Sequence, residues 1–485
     1  MSVSPVSSSS VTLSPIYGAL AAAAGAVSLF ATYWDDAWHT DIGRDAALIP
    51  PHLALYGGVA VTGLVVVGWA LVALVRTRSI RAALRQPGLL LAGLGGAVTL
   101  AAAPLDAFWH DRFGRDAVLW SPPHMLVVFA SATMAIGLLA GLRPTKRGIV
   151  EAALSALVLG SVMMTVLEYD TDVPQFSQTF YLPVVLVAGL FSVAIVRALV
   201  PRAYAVTRTL VFYVAMRVLV VAALVMLGRS TPDLPVAVLG LAVADLPWRG
   251  PAARYGATAA AVAALAWIAA AFGVASQPAA EIGVVAAPVI VVGMALALAT
   301  SWRNRPAGAT AAALLVGAAI LTLGPAPRAL AHDPGQGKPV TAVQLTVISD
   351  GRGEVRMDAV TADASSRLMA HRVVARRGGQ TLTAPLTELG AGRFTGTIPL
   401  PEEGRWFVYV EFTRAGEPIE AWLPVETGWQ GTVSAERELY VPAGAQAPTT
   451  AQIAFGTAIY AVGLALLGLA IMQTRRLVRR RQSEA

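Results

Sequence analysis

The sequence predicts a polytopic α-helical membrane protein of about twelve spans, with a small extracytoplasmic β-sandwich domain before the last span. Three observations carry that prediction. Apolar runs of membrane-crossing length recur along the chain, every second connection between them is basic, and one long polar segment alternates with a period of two.

Of the 485 residues 56% are hydrophobic and 13% charged, and the mean hydropathy is +0.63. No soluble core could take up that much apolar surface, so the bilayer is the first partner. The 36 basic and 29 acidic residues leave a net charge of +7. In a membrane protein the placement of those charges matters more than their sum, and nucleic acid is not an expected partner. The chain has no Cys, which excludes disulfides, thiolate metal sites and thiol catalysis.

Runs of roughly 20 apolar residues, the length that crosses about 30 Å of hydrocarbon, lie near 15–34, 52–75, 88–109, 123–142, 148–167, 179–199, 207–228, 232–247, 255–275, 281–301, 307–327 and 451–473. The eighth is short. The connections "RTRSIRAALR", "RPTKR", "RALVPRAYAVTR", "WRGPAAR" and "RNR" and the tail "TRRLVRRR" fall in every second loop. This pattern predicts a multi-pass plasma-membrane protein with both termini cytoplasmic. The Ser-rich start lacks the basic region of a signal peptide and is read as retained.

Four regions follow: duplicated two-helix hairpins over 1–144, further membrane helices over 145–328, the β-domain over 329–450, and a final span with a basic tail over 451–485. Within the β-domain, Trp406, Val408, Val410 and Phe412 alternate with Phe407, Tyr409 and Glu411, as in a sandwich strand. About a hundred residues suffice for one small sandwich.

The hairpin tips carry the chemistry. "DDAWHTDIGRDAALIPPH" recurs as "DAFWHDRFGRDAVLWSPPH", so that Asp35, His39, Gly43, Arg44 and Asp45 match Asp106, His110, Gly114, Arg115 and Asp116. One inserted residue later "PPH" recurs, ending in His52 and His124. Four of the six histidines therefore occupy equivalent places in two copies. Asp35 and His39, four apart, share a helix face. The Pro pair starts the next helix and sets His52 at its N-terminus, where the dipole disfavours a protonated imidazole. A carboxylate and two imidazoles then converge, a donor set suited to Cu(II), Zn(II) or Fe(II). Asp45 can accept an imidazole N–H and Arg44 can neutralise a carboxylate, with Arg115 and Asp116 as their copies.

At these residues the pattern D-x3-H-x4-R-D-x4-P-x-H, here Asp35, His39, Arg44, Asp45, Pro50 and His52, resembles the metal-site signature of the C subunit of copper membrane monooxygenases, the particulate methane and ammonia monooxygenase family. The resemblance implies that Asp35, His39 and His52 bind copper, and that Asp106, His110 and His124 are a second such set. That family's subunit has one motif and works beside two partner subunits, whereas this chain has two motifs and a β-domain of its own. The β-domain is similar in texture to YtkA-like and FixH-like sandwiches.

Other residues leave alternatives open. Arg217 sits mid-span, where a charge costs roughly 2.5 kcal/mol or more, and would pair with Asp245 or line a polar path. Met163, Met164, Glu168 and Asp170 form either a third metal-handling cluster or packing contacts beside a solvated acidic loop. "RALAHDPGQG" places Ala-x-Ala before His332, either a processing site that frees a copper-chelating His or an ordinary linker; His371 is the other histidine of this region.

Two function classes follow. The first is a copper-binding membrane protein that takes up, stores or passes the metal, with the β-domain or another extracytoplasmic copper protein as acceptor. The second is a copper-dependent monooxygenase or oxidase component acting with monooxygenase-type subunits or as an oligomer. Whether the motifs form two sites or one dinuclear site stays open at this point.

Overall fold

The computed structural model describes residues 11–42, 48–113, 119–173, 177–288, 290, 337–361, 368–377, 380–401, 403–442 and 449–484. Among them, nine helices are long and apolar enough to cross a membrane. The spans expected over 281–301 and 307–327 fall, beyond residue 290, outside the described residues.

Prolines set the helix starts. α1 (Pro15–Asp41) opens on Ser14, whose hydroxyl accepts the Tyr17 N–H, and on Pro15, whose missing N–H costs nothing in a first turn. α2 (Pro50–Thr77) returns antiparallel from Pro50 and Pro51 and stops where Arg78 turns left-handed at φ 50°. After the short α3 (Ile80–Leu84), α4 (Pro87–Phe113) and α5 (Pro122–Gly141) repeat the hairpin, the latter again from a Pro pair. Leu13 stitches the hairpins together at the end away from their tips: its N–H donates to Gly141 O and its carbonyl accepts from Arg143 N. Along α2, Leu64, Val67, Leu71 and Val75 stay exposed at helical spacing, the stripe a lipid-facing helix presents.

α6 (Ile149–Met163) tightens through a 3-10 turn into the short α7 (Leu167–Asp170), and α8 (Tyr181–Leu199) and α9 (Ala205–Met226) follow. The segment predicted as the eighth span is no α-helix. Residues 229–235 carry no regular secondary structure, and Ala237–Asp245 wind as a 3-10 helix. Even so, the segment joins both ends of the bundle. Asp233 N–H donates to Asp170 O at 2.6 Å, while Asp245 accepts Thr207 N–H at 2.7 Å beside the start of α9. Irregular backbone at membrane depth must be buried in protein. Here a Cβ on Gly240 would stand 2.4 Å from Val262 N, so glycine lets the 3-10 helix lie directly on the backbone of α10 (Pro251–Ala271). α11 (Ala279–Pro288) and, after the β-domain, α12 (Thr450–Glu484) complete the described helices.

The β-domain is one antiparallel sheet of nine strands: β1 (Gly337–Asp350), β2 (Glu354–Thr361), β3 (Met369–Arg377), β4 (Gln380–Pro385), β5 (Thr387–Gly390), β6 (Arg393–Pro399), β7 (Arg405–Arg414), β8 (Glu417–Glu426) and β9 (Gln430–Pro442). Its order is β4-β3-β7-β8-β9-β1-β2-β6-β5, and the sheet folds over so that β6 meets β3, with Phe394 edge-on to Phe412 at 4.8 Å. Trp406, Val408, Val410 and Phe412 line the enclosed core, as their alternation predicts. Phe407 and Tyr409, on the opposite face, are buried as well. They pack with Val374, Trp422 and Tyr440 against Val173 of the helical bundle.

Charged contacts reinforce that docking. Asp172 receives Arg377 Nη2 at 2.7 Å and Arg405 N–H at 2.7 Å, and Arg405 Nη1 donates to Thr171 O. Burial pushes the Asp172 carboxyl up to about 6, outweighing the Arg377 guanidinium and the Arg405 N–H that hold it down. An acid whose pKa is higher docked than free stabilises docking fully below about pH 4 and loses that contribution as pH rises through about 6. Hydrogen exchange of β7, corrected for intrinsic rates, should therefore slow from about pH 7 to about pH 5, and Asp172→Asn should abolish the trend. Faster exchange on acidification would mean that the ion pair outweighs burial.

Candidate functional site

Each hairpin tip brings its three expected residues together. The last turns of α1 stack Asp35 and His39, and the first turn of α2 supplies His52. His52 Nε2 stands 3.1 Å and His39 Nε2 3.6 Å from the same oxygen, Asp35 Oδ1. In the second tip, His110 Nε2 is 3.2 Å from Asp106 Oδ2 and His124 Nε2 3.3 Å from Asp106 Oδ1. In each set the ligand atoms lie within 4.8 Å of one another, and all six side chains are partly buried. The His110 and His124 rings meet edge-on at 5.9 Å.

The donor chemistry fits a metal ion. Asp35 Oδ1 and Asp106 Oδ1 are buried, and imidazole nitrogens stand against them, His52 and His39 at 3.1 and 3.6 Å from the first and His124 at 3.3 Å from the second. Two nitrogens and a carboxylate oxygen facing a common centre leave further coordination positions open. Both tips stand at the same end of the bundle: the first is held by Ser230 and the second by Glu168, and these two segments are themselves joined by Asp233 N–H donating to Asp170 O. The ligand sets remain two groups of three rather than one group of six.

Different neighbours hold each tip. At the first, Asp41 accepts Ser230 N–H at 2.8 Å and the Ser230 hydroxyl, and Arg229 lies over the Trp38 ring at 5.4 Å. At the second, Glu168 Oε1 accepts Leu119 N–H at 2.7 Å, Trp120 Nε1 donates to Thr165 O at 3.2 Å, and the Tyr460 hydroxyl of α12 donates to Trp120 O. Trp109 stacks against Phe455 at 6.2 Å.

Arg44, Asp45, Arg115, Asp116 and His332 lie outside the described residues. His371 is exposed on β3 beside a register shift and belongs to neither set. Glu168 and Asp170 form no third metal cluster among the described residues, and they are not solvated: Glu168 is 3% and Asp170 6% exposed. Met163 and Met164 are core residues. Arg217 pairs with Asp170 at 2.8 Å and not with Asp245, which instead meets Arg197 at 3.3 Å and Thr207. Asp245, the partner expected from the sequence, lies at the far end of the bundle beside the start of α9.

The run Glu168–Asp172 is the feature that sequence reasoning undervalued. Besides holding the second tip through Glu168 and the β-domain through Asp172, it offers the Tyr169 carbonyl to Gln277 Nε2 at 2.7 Å and the Asp170 carbonyl to Asp233 N–H at 2.6 Å. The sequence signal was three acids in five residues with no Lys or Arg nearby to pair them.

Fold and sites together define a polytopic helical membrane protein with a docked β-domain and two carboxylate–bis-imidazole clusters at one end of its bundle. Neither family models, curated proteins nor solved structures give a match to this chain.

Proposed function

We propose that this protein binds copper at the outer face of the plasma membrane and takes it up or hands it on, with copper as its cargo. The reading rests chiefly on the convergence of Asp35, His39 and His52, and of Asp106, His110 and His124, each set within 4.8 Å. The two termini and the Arg-rich connections are assigned to the cytoplasm because basic loops stay on that side. The tips then face outward, where the β-domain can receive or deliver the ion. Copper is preferred over zinc or iron because the motif spacing resembles that of the copper membrane monooxygenase C subunit. The same spacing favours a second reading, a copper-dependent monooxygenase component, which dioxygen-dependent turnover by the copper-loaded protein would distinguish.

Metal content tests the proposal. Wild type, His39→Ala, His110→Ala and the double variant are purified, mildly chelated, reloaded with copper or zinc, and assayed. Removing one of three ligands lowers affinity by orders of magnitude, while apolar packing keeps the bundle folded. Each single variant should lose about half the copper and the double nearly all, the pattern of two independent sites. Equal copper in all four proteins, or none in any, sinks the metal reading.

A further inference from the structure

We propose that the β-domain positions the first metal set through Arg437, so that copper affinity at Asp35, His39 and His52 depends on domain docking; this rests on the metal reading above. A helix leaves its last carbonyls without partners, and those of α1 emerge just past the turn that carries Asp35 and His39. Arg437, on β9, meets them. Its Nη2 donates to Asp41 O at 2.9 Å and its Nη1 to Ile42 O. The guanidinium is itself fixed: Nε donates to Trp422 O at 3.3 Å, and the group lies over the Trp422 ring at 5.3 Å. Trp422 is 1% exposed and packs edge-on to Phe407 at 4.9 Å in the cluster that docks against Val173. A rigid chain of contacts thus runs from the docked sheet face to the end of the helix that bears two of the three ligands. A cation at this position also complements the negative end of the helix dipole.

The other brace of the first tip is Ser230, whose N–H and hydroxyl donate to the Asp41 carboxylate. Copy two has Ala107 where copy one has Asp36, and Arg112 where copy one has Asp41. The second tip is braced by Glu168, Thr165 and Tyr460, all residues of the membrane helices. Duplication therefore produced two like ligand sets with unlike supports, and the first answers to the β-domain.

The test isolates each site in the full-length chain. Cu(II) affinity and electron paramagnetic resonance spectra are measured with and without Arg437→Gln, in the His110→Ala background that keeps the first site and in the His39→Ala background that keeps the second. Arg437→Gln should weaken copper at the first site about tenfold or more and alter its spectrum, since misplaced ligands cost affinity on this scale. The second site should keep its spectrum and hold its affinity within about twofold. Arg437→Lys, which retains the charge and one donor, should recover part of the loss. Copper at both sites with equal responses, or with none, overturns this inference alone. Copper at neither site in wild type overturns the metal reading with it.

Discussion

Arg217→Met should destabilise the protein by about 3–5 kcal/mol, and adding Asp170→Leu should return much of that loss. Arg217 is 0% exposed. Its Nη1 donates to Asp170 Oδ2 at 2.8 Å and to the Tyr213 hydroxyl at 3.2 Å, its Nη2 donates to Asp233 O at 2.6 Å, and the guanidinium sits 4.5 Å above the Tyr33 ring. The single variant strands the Asp170 carboxylate in a low-dielectric interior, which is the expensive half of breaking a buried pair. The double variant removes both charges and forfeits the Asp233 carbonyl bond and the cation–π contact, so recovery should be incomplete. Thermal unfolding in detergent across the double-mutant cycle measures the coupling. If the double variant is as unstable as the two single losses added together, the pair does not explain why a charge is kept at this depth.

Gly137→Leu should lower the melting temperature sharply, by the overpacking cost of about 1–3 kcal/mol or more. A Cβ at Gly137 would stand 2.2 Å from Ala92 N and 2.7 Å from Gly88 O, and one at Gly95 2.5 Å from Met134 N. α4 and α5 thus meet backbone to backbone, as helices in membranes do where small residues face each other. Backbone cannot yield as a flexible side chain can, so the larger residue must part the helices that carry Asp106, His110 and His124. Gly93→Leu is the control, because among the described residues nothing lies within 4 Å of its Cβ position and leucine is the better helix former. The expected result is a large drop for Gly137→Leu, accompanied, under the copper proposal, by loss of metal from the second set, and little change for Gly93→Leu. Equal melting temperatures for the two variants would show that the close approach does not hold the hairpin.

The spans and the tips were legible for different reasons. Spans declare themselves because a bilayer demands unbroken apolar length. The tips declare themselves because scattered polar residues would not repeat an Asp-His-His spacing at two equivalent hairpin ends. What the sequence concealed was every interaction fixed by neighbour order rather than by local pattern. Asp172 reads as part of a solvated acidic loop until Arg377 and Arg405, more than 200 residues away in the chain, are seen to cover it. The sequence matches Arg217 to Asp245 or to a polar path, and its partner Asp170 emerges only once the bundle shows which end each aspartate occupies. Phe407 and Tyr409 alternate with the residues of the enclosed core, and alternation shows that two faces exist without showing that both are covered. The eighth span read as a short helix because composition cannot distinguish a 3-10 winding from an α-helical one.

That winding sets a distance. At about 2.0 Å per residue against about 1.5 Å in an α-helix, nine residues reach about 18 Å instead of about 13.5 Å. The stretch Ala237–Asp245 is what allows one strip of chain to grip Asp41 through Ser230 near Asp35, His39 and His52 and Thr207 through Asp245 at the opposite end. Rewound as an α-helix it would fall short of one anchor by about 4.5 Å, so this segment works as a tie-rod whose length keeps the two ends of the bundle in register.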